Sequence, residues 1–372
     1  MSDAAAARRD PGFCRFHTEH TIVVDWSAEA GWSDWSVEPY GSIVLDPAAM
    51  VLHYGQSVFE GLKAFRQPDG SAALFRPADH ARRLGRSASR LAMPEMPVDL
   101  FLEACAELVA LDDDWIPDEP GQALYLRPLM IATEAQVGLR DSRRYRCVFL
   151  AYPVDPCFGR DFAPISVETS GESVRAVRGG MGEAKCSGNY AASLMVRREA
   201  LARGFNEVLW LDGLERRWVE ELSGMNVFFV WRDGDGPDGV RLTTPPCQGT
   251  IVRGITRDCV LTLARDLGIR VAEEPTTIDG VMAGARSGRL VEMFACGTAA
   301  VVVPVGRVAD AGASAVFGDG REGPVTARLR NAFIEIQHGI RPDTHGWLRT
   351  VRNDLASVHG STDRQLRSWA DA

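Results

Sequence analysis

Alternating apolar and polar residues in the first part of the chain predict a mixture of strands and helices. The runs TIVVDW (21–26) and GSIVLD (41–46) are rich in β-branched residues and are typical of strands. The segment FEGLKAFRQPDGSAALFR (59–76) places two similar runs on either side of the turn residues QPDG. This arrangement predicts a β-hairpin.

Helical and buried-strand patterns follow the hairpin. Asp79 can cap a helix that ends near Pro94, and the apolar spacing of residues 99–112 fits a second helix. The apolar runs at 123–135 and 145–154 predict buried strands.

The pattern changes after YPVDPCFGRDFAP (152–164), which combines prolines, a glycine and charges of both signs. Such composition is typical of a linker or a functional loop. We therefore divide the chain into a small N-terminal domain (1–156), an interdomain loop (157–166), a larger C-terminal domain (167–347) and a polar tail (348–372).

The second half again mixes both element types. Residues 189–204 predict a helix that ends at Gly204, and residues 206–231 predict a meander of antiparallel strands. A further helix is predicted to begin near Thr256 and end at Gly268. An amphipathic helix is predicted at 325–339.

Composition restricts the function. The 372 residues are 45% hydrophobic and 24% charged, as in globular proteins, and this length favours two domains. A net charge of −9 argues against nucleic acid as a partner. Neither a signal peptide nor an apolar run long enough for a bilayer is seen, so we expect a cytoplasmic protein with no membrane partner.

No metal site is predicted. Eight cysteines are scattered without a CxxC pair or zinc-finger spacing, which fits reduced thiols. The segment DGDGPDG (233–239) resembles a calcium loop, but Pro237 takes a ligand position and Thr244 stands where glutamate is needed. A hairpin turn is the better interpretation. A dinucleotide fingerprint is also absent from the sequence, which argues against a dehydrogenase.

Only two of the 41 basic residues are lysines, Lys63 and Lys185. A lysine can lose its proton and condense with an aldehyde such as pyridoxal 5′-phosphate (PLP), whereas an arginine cannot. Chance could have left both lysines in place. However, the strand alternation around Lys63 predicts a solvated side chain, while Lys185 lies among glycines beside Tyr190, where the backbone can approach a ligand closely.

PLP also needs a carboxylate for its ring nitrogen, a donor for its phenolate oxygen, and an arginine or a helix N-terminus for its phosphate. The predicted helix start at Thr256 suits a phosphate, although Thr256 could merely cap its own helix.

Seven segments together resemble one family. They are YGQSVFEGLKAFR, LYLRPLMIATE, GGMGEAKCSGNYAASL, EVLWLDG, ELSGMN, GITRDC and EMFACGTA, and the resemblance covers roughly residues 14–347. In this order they resemble the branched-chain amino acid aminotransferases, PLP enzymes of fold type IV. The resemblance implies an α/β fold of the α+β type. It has two domains with antiparallel and mixed sheets flanked by helices, and the cofactor binds at the domain interface.

The resemblance also implies catalytic roles. Lys185 matches the Schiff-base lysine, which also moves a proton between the substrate α-carbon and C4′ of the cofactor. Glu221 matches the carboxylate that holds the pyridinium proton; the alternation alone does not choose between it and Glu220. Tyr190 matches the donor to the phenolate oxygen.

For the cofactor phosphate, the resemblance implies Arg83. Three more arginines, Arg82, Arg86 and Arg90, occupy the same predicted helix, so the assignment depends on the register of the motif. The remaining implied contacts are the backbone at Ile255 and Thr256 and the hydroxyl of Thr298.

For the substrate, the resemblance implies that the backbone N–H groups of Thr298 and Ala299 bind the carboxylate. The implied pocket positions are Tyr54, Phe59, Tyr125, Arg127 and Leu139. Tyr54 and Leu139 would come from the partner subunit, which implies a homodimer.

Three positions depart from the family pattern. Cys157 stands in the interdomain loop where relatives commonly have tyrosine. Ala300 and Val303 fill the positions of the CxxC found in some animal relatives, and Gly224 replaces a threonine.

The resemblance implies transamination of L-leucine, L-isoleucine and L-valine with 2-oxoglutarate. The alternatives are a fold type IV aminotransferase of secondary metabolism that acts on an unusual apolar amino acid, and a homologue that binds PLP without turnover. The sequence does not decide the preferred side chain.

Overall fold

Two β-sheets and the helices on their faces make up the computed structural model, which describes residues 3–234 and 239–351. The strands of the first half are β1 (His20–Ser27), β2 (Gly31–Trp32), β3 (Ser36–Pro39), β4 (Ser57–Phe59), β5 (Leu62–Arg66), β6 (Ala72–Phe75), β7 (Ala123–Ala132) and β8 (Arg144–Val154). Those of the second half are β9 (Ile165–Thr169), β10 (Glu207–Leu211), β11 (Val219–Leu222), β12 (Asn226–Arg232), β13 (Val240–Thr244), β14 (Arg270–Glu273), β15 (Leu290–Gly297), β16 (Val301–Asp310), β17 (Ala313–Val316) and β18 (Leu348–Val351).

The helices within these ranges alternate with the strands. They are α1 (Asp3–Arg9), α2 (Met50–Tyr54), α3 (Pro77–Arg90), α4 (Val98–Leu111), α5 (Ser187–Ala191), α6 (Leu194–Ala202), α7 (Ile255–Asp266), α8 (Ile278–Arg286) and α9 (Pro324–Gln337), with a 3₁₀ turn at Asp113–Trp115. Within the described ranges, no helix has the length and apolar character that a bilayer crossing requires.

The first sheet is antiparallel, in the order β18-β6-β5-β7-β8-β1-β2, with β3 beside β1 and β4 beside β7. Both faces of β7 are buried. Leu124 and Leu126 pack with α3 and α4, whereas Tyr125 between them packs in a cluster with residues of the second half. The alternation of side chains along β7 therefore aims one face of the sheet at the second half of the chain.

The second sheet is mixed, in the order β11-β10-β9-β16-β15-β12-β13-β14, with β17 beside β16. Strand β9 is parallel to β10 and β16, and β13 is parallel to β14. On β12, Phe228 packs in one cluster with residues of α7 and α9, and Phe229 packs in another with residues of α8. The cluster that contains Phe228 also includes Tyr125, so it joins the two sheets.

Several predicted elements are confirmed. The hairpin at 59–76 is formed by β5 and β6, with Ala64 opposite Leu74. Helices α4, α7 and α9 lie within two residues of their predicted bounds. The hairpin turn predicted at 233–239 connects the antiparallel strands β12 and β13; residues 235–238 lie outside the described ranges.

Other predictions were wrong in detail. Residues 41–46 form no strand. Val44 is 90% exposed there, so no burial of its apolar side chain stabilises a strand at this position. Helix α3 begins at Pro77, and Asp79 lies in its first turn rather than at the N-cap. The helix predicted at 189–204 is divided into α5 and α6.

The predicted meander is also incomplete. Strands β10 and β11 form an antiparallel pair, but β12 pairs with β13 and β15 instead of β11. At the end of the chain, residues 348–351 were predicted to belong to a polar tail. They form β18, which pairs with β6 because Val351 packs in the core of the first sheet. Residues 352–372 of the predicted tail lie outside the described ranges.

Candidate active site

One cleft between the two sheets collects most of the residues singled out by the sequence. Nine of them line it: Arg83, Tyr125, Lys185, Tyr190, Glu221, Ile255, Thr256, Thr298 and Ala299. Phe59 and Arg127 contact members of this set, whereas Tyr54 and Leu139 are not part of the lining.

Lys185 lies in the connection between β9 and α5, and its backbone is held by the first half of the chain. The N–H of Phe59 donates to the Lys185 carbonyl (3.0 Å), and the N–H of Lys185 donates to Ser87 Oγ (2.9 Å). The Lys185 side chain is half-buried. Its Nζ lies 2.9 Å from Tyr190 Oη and 4.8 Å from the centre of the Phe59 ring. The amine is therefore fixed at the cleft between two aromatic rings.

Lys63, the other lysine, has a different environment. It is 1% exposed, and its Nζ has no hydrogen-bond partner among the described residues. Burial lowers its pKa to about 8. The predicted solvated side chain was wrong, because Lys63 lies opposite Tyr125 on the sheet face that the second half covers. Lys63 does not line the cleft.

Glu221 lies on β11, which forms one end of the cleft, and it is 3% exposed. Its Oε1 lies 2.6 Å from Nη2 of Arg175, and its Oε2 accepts a hydrogen bond from Asn226 Nδ2 (3.0 Å). Burial raises the pKa of Glu221 to about 7, although Arg175 opposes this shift. Glu220 does not line the cleft, so the geometry selects Glu221 from the adjacent pair.

Arg83 is the arginine of α3 that lines the cleft; Arg82, Arg86 and Arg90 do not. Two of its nitrogens pair with the buried carboxylate of Glu60, Nε at 2.6 Å and Nη2 at 2.8 Å. His80 Nδ1 lies 2.7 Å from the same carboxylate. Burial disfavours ionised Glu60, but Arg83 and His80 outweigh burial and hold its pKa well below the usual range.

The N-terminus of α7 faces the same cleft. Gly254 is its N-cap in an extended conformation, and Ile255 and Thr256 begin the helix. The first N–H groups of a helix have no partner within that helix, and the dipole favours an anion there. The cleft therefore offers Arg83 and a helix start for one anionic group.

The turn between β15 and β16 contributes Thr298 and Ala299 to the lining. The N–H of Cys157 donates to the Ala299 carbonyl (3.3 Å), so the loop between the sheets packs against this turn. Burial raises the pKa of the Cys157 thiol to about 11. At neutral pH this thiol is protonated.

Tyr125, Arg127 and Phe59 form a cluster beside Lys185. Arg127 Nη2 donates to Tyr125 Oη (3.0 Å), and its guanidinium carbon lies 4.8 Å from the centre of the Phe59 ring. Arg127 Nε is buried and has no hydrogen-bond partner among the described residues. A Cβ atom at Gly61 would overlap the Tyr125 hydroxyl, so this position requires glycine.

Comparison with known proteins identifies the family. The profile of "Amino-transferase class IV" matches residues 57–308. A "Probable branched-chain-amino-acid aminotransferase" of Streptomyces coelicolor is 48% identical over 351 residues, which cover 94% of this chain and 95% of that protein. The chain belongs to the branched-chain-amino-acid aminotransferase family. A further member, from Mycolicibacterium smegmatis, is 46% identical and covers 91% of this chain and 92% of its own.

Solved structures of the family share the fold. The aminotransferase of Escherichia coli has a TM-score of 0.74 and 28% identity, and the match covers 90% of this chain and all of that one. The T.th. aminotransferase has a TM-score of 0.70 and 30% identity. The match covers 88% of this chain and 98% of that one. That relative was solved with N-(5′-phosphopyridoxyl)-L-glutamate and with 4-methylvaleric acid. The two-sheet α/β architecture predicted as fold type IV is confirmed.

The donor set of the cleft fits the cofactor of this family. A buried carboxylate, an amine beside a phenol, and an arginine with a helix start are the three features that PLP chemistry needs, and all belong to one lining.

Four further residues at the site were missed by the sequence reasoning. They are Glu60, Ser87, Arg175 and Asn226. Glu60 and Asn226 lie inside the recognised motifs EGLKAFR and ELSGMN, which was the available signal. Nothing in the local pattern around Ser87 or Arg175 indicates their partners.

Proposed function

We propose that the chain catalyses PLP-dependent transamination between the branched-chain L-amino acids leucine, isoleucine and valine and 2-oxoglutarate, giving branched 2-oxo acids and L-glutamate. The observation that carries this proposal is the convergence of Lys185, Glu221 and the start of α7 on one cleft. When bound, PLP supplies an electron-withdrawing ring that makes the α-hydrogen of the substrate acidic.

In this proposal Lys185 binds the cofactor covalently and moves the proton at the substrate α-carbon through Nζ. An amine suits this task when it can lose its proton. The Phe59 and Tyr190 rings lie beside Nζ and fix its position at the cleft. Tyr190 Oη, 2.9 Å from Nζ, is assigned the hydrogen bond to the phenolate oxygen of the cofactor.

The other contacts hold the cofactor at its two ends. Glu221 is assigned the proton of the ring nitrogen, since it is the buried carboxylate of the lining. The phosphate is assigned to Arg83, the backbone at Ile255 and Thr256, and the hydroxyl of Thr298. Glu60 fixes the guanidinium of Arg83 from behind.

The substrate pocket must accept an apolar side chain in one half-reaction and a carboxylate in the other. Phe59 and Tyr125 provide apolar surface, and Arg127 provides a half-buried cation whose Nε has no hydrogen-bond partner among the described residues. Ligands of the T.th. relative, a glutamate adduct and 4-methylvaleric acid, support this dual use. The N–H groups of Thr298 and Ala299 are assigned the α-carboxylate.

A homodimer is part of the proposal. Tyr54 is 40% exposed and Leu139 is 84% exposed, and the Tyr54 hydroxyl donates to the Val137 carbonyl, so Tyr54 lies beside the exposed segment that carries Val137 and Leu139. An apolar patch of this kind favours a protein partner. We also propose a cytoplasmic location, which the eight free cysteines support.

A second candidate is an aminotransferase for an unusual apolar amino acid. The observation that favours it is Cys157, which contacts the Ala299 carbonyl from a position where tyrosine is common in the family. In this proposal, the smaller side chain at position 157 gives a wider substrate pocket.

A screen of amino donors against 2-oxoglutarate, with added PLP, tests the proposal. We expect all three branched-chain substrates to react at rates within about two orders of magnitude, since one methylene changes binding by roughly 1–3 kcal/mol. The Lys185→Ala variant should keep its circular dichroism spectrum and lose transamination. Preference for a D-amino acid, or for an unbranched donor by a larger factor, would contradict the main proposal.

A further inference from the structure

Arg175 connects the two ends of the cleft through one nitrogen. Its Nη2 lies 2.6 Å from Glu221 Oε1 and donates to the carbonyl of Gly182 (3.2 Å) and to that of Thr250. Gly182 precedes Lys185 by three residues in the same loop. A single guanidinium therefore touches both the carboxylate on β11 and the loop that presents the amine.

The residues around Arg175 are buried and closely packed. The side chains of Arg175 and Glu221 are 3% and 4% exposed. A Cβ atom at Gly182 would lie 2.6 Å from Ala176 Cβ and 2.7 Å from the Thr250 carbonyl oxygen. Since real Cβ atoms do not approach so closely, position 182 requires glycine, and the loop there packs directly against Ala176 and Thr250, beside Arg175.

Arg175 also opposes the effect of burial on Glu221. The groups that face Glu221 are Arg175, Glu220, Lys185 and Cys247. Burial and Glu220 raise the pKa of Glu221, and Arg175 and Lys185 lower it, with a result of about 7. In the part of the chain that the structure describes, Arg175 is the basic side chain in direct ion-pair contact with Glu221. A neutral side chain at position 175 would therefore raise the pKa of Glu221 further and favour its protonated form.

We propose that Arg175 is a positioning residue that holds Glu221 as a carboxylate for the ring nitrogen of the cofactor and ties it to the loop that carries Lys185. The inference rests on the proposed function, because it assigns that nitrogen to Glu221. Arg175 does not touch the substrate in this proposal; it acts through Glu221 and through Gly182.

The test compares PLP affinity, measured by equilibrium dialysis from pH 6 to pH 9, for the wild type and the Arg175→Met, Arg175→Lys and Arg178→Met variants. Arg178 is a matched control, because it lies in the same loop, is exposed and donates to Gln248 Oε1 (3.0 Å) rather than to the cleft. We expect the Arg175→Met variant to bind PLP at least about tenfold more weakly than the wild type at pH 7, since one unit of pKa corresponds to a factor of ten. Its affinity for PLP should recover as the pH rises and Glu221 ionises. Arg175→Lys should recover part of the loss at pH 7, and Arg178→Met should match the wild type.

A double-mutant cycle separates this role from a general effect on folding. If Arg175 acts through Glu221, adding Glu221→Gln to Arg175→Met should change the affinity at pH 7 little further. Additive losses, or a profile for Arg175→Met parallel to that of the wild type, would overturn the inference. Wild-type protein that binds no PLP and transfers no amino group would instead refute the proposed function itself.

Discussion

The hydroxyl oxygen of Ser87 accepts a 2.9 Å hydrogen bond from the backbone N–H of Lys185. Ser87 is 2% exposed and lies one turn after Arg83 on α3. One helix of the first half thus presents an arginine to the cleft and holds the backbone beneath the amine. The two groups are fixed relative to each other through α3 as well as across the sheets.

This relationship predicts the effect of Ser87→Ala. The substitution leaves the Lys185 N–H without its acceptor, at a cost of about 1 to 3 kcal/mol for a buried donor. We expect kcat/KM for leucine to fall about five- to fifty-fold, with the far-ultraviolet circular dichroism unchanged. Ser89→Ala, an exposed position on the same helix, serves as the control. Equal kinetics in both variants would show that the hydrogen bond has no catalytic consequence.

Glu60→Gln is predicted to destabilise the protein strongly at neutral pH. The buried Glu60 carboxylate pairs with Arg83 and His80, and removing its charge leaves a cation uncompensated, which costs about 3 to 5 kcal/mol. Because the folded-state pKa of Glu60 is lowered, its contribution is present above pH 4.5 and is lost as the pH falls from there toward the folded-state pKa. Urea unfolding at pH 7 and pH 4 should therefore give a smaller difference from the wild type at pH 4. Glu103→Gln, an exposed change on α4, should have little effect at either pH.

Lys63→Met is predicted to stabilise the protein at neutral pH. The folded-state pKa of Lys63 is lowered from 10.5 to about 8 by burial, so the charged amine destabilises the folded state below pH 8. This penalty, about 3 kcal/mol from the pKa difference, decreases from pH 8 and disappears above 10.5. The gain measured by chemical denaturation at pH 7 should thus shrink by pH 10. A gain that does not depend on pH would point to packing of the methionine instead.

Gly254→Ala is predicted to weaken cofactor binding. A Cβ atom at Gly254 would overlap Asn226 Oδ1 and lie 3.2 Å from Arg257 Cβ. Asn226 donates to Glu221, so its displacement disturbs the carboxylate at the end of the cleft. We expect the dissociation constant of PLP to rise by roughly tenfold, because that is the typical effect of losing one hydrogen bond to a charged group. Gly188→Ala is the control: a Cβ atom there meets no atom within 4 Å. Equal constants in both variants would show that Asn226 tolerates the shift.

Leu139→Glu is predicted to separate the subunits of the proposed dimer. The substitution places a charge on the exposed apolar segment that carries Val137, whose carbonyl accepts the hydrogen bond of Tyr54. Sedimentation velocity should detect more monomer, and kcat/KM should fall with the dimer fraction. Leu214 is 91% exposed in a separate turn, so Leu214→Glu should leave the sedimentation profile of the wild type unchanged.

Much of the site could be predicted from the sequence because its chemistry restricts residue type. Of the two strongly basic side chains, lysine forms a Schiff base with an aldehyde and arginine does not, so Lys63 and Lys185 stood out among many arginines, and the glycines around Lys185 favoured it. The burial of Lys63 could not be predicted, because alternation shows which residues share a sheet face. It does not show whether another sheet covers that face. Arg175 and Ser87 were missed for a related reason: their partners Glu221 and Lys185 lie far away along the chain, and only the packed fold brings them together.

The elements themselves followed the same division. Strands and helices with strong periodicity, such as β8 and α9, were predicted to within two residues of their bounds. The pairing of the strands was not predicted correctly. Strand β12 was expected beside its sequence neighbour β11, but it lies between β13 and β15. The break between α5 and α6 was also missed. There the Ser193 hydroxyl donates to the Tyr190 carbonyl (2.7 Å), a local alternative to continued helix.

The pairing of β18 with β6 has a consequence for folding during translation. The ribosome releases β6 early, whereas Leu348–Val351 emerges only after the entire second sheet has been made. Until then the edge of β6 has unpaired backbone groups, which can recruit strands from neighbouring nascent chains. Released chains truncated before residue 348 should therefore depend more on chaperones than chains that include residues 348–351.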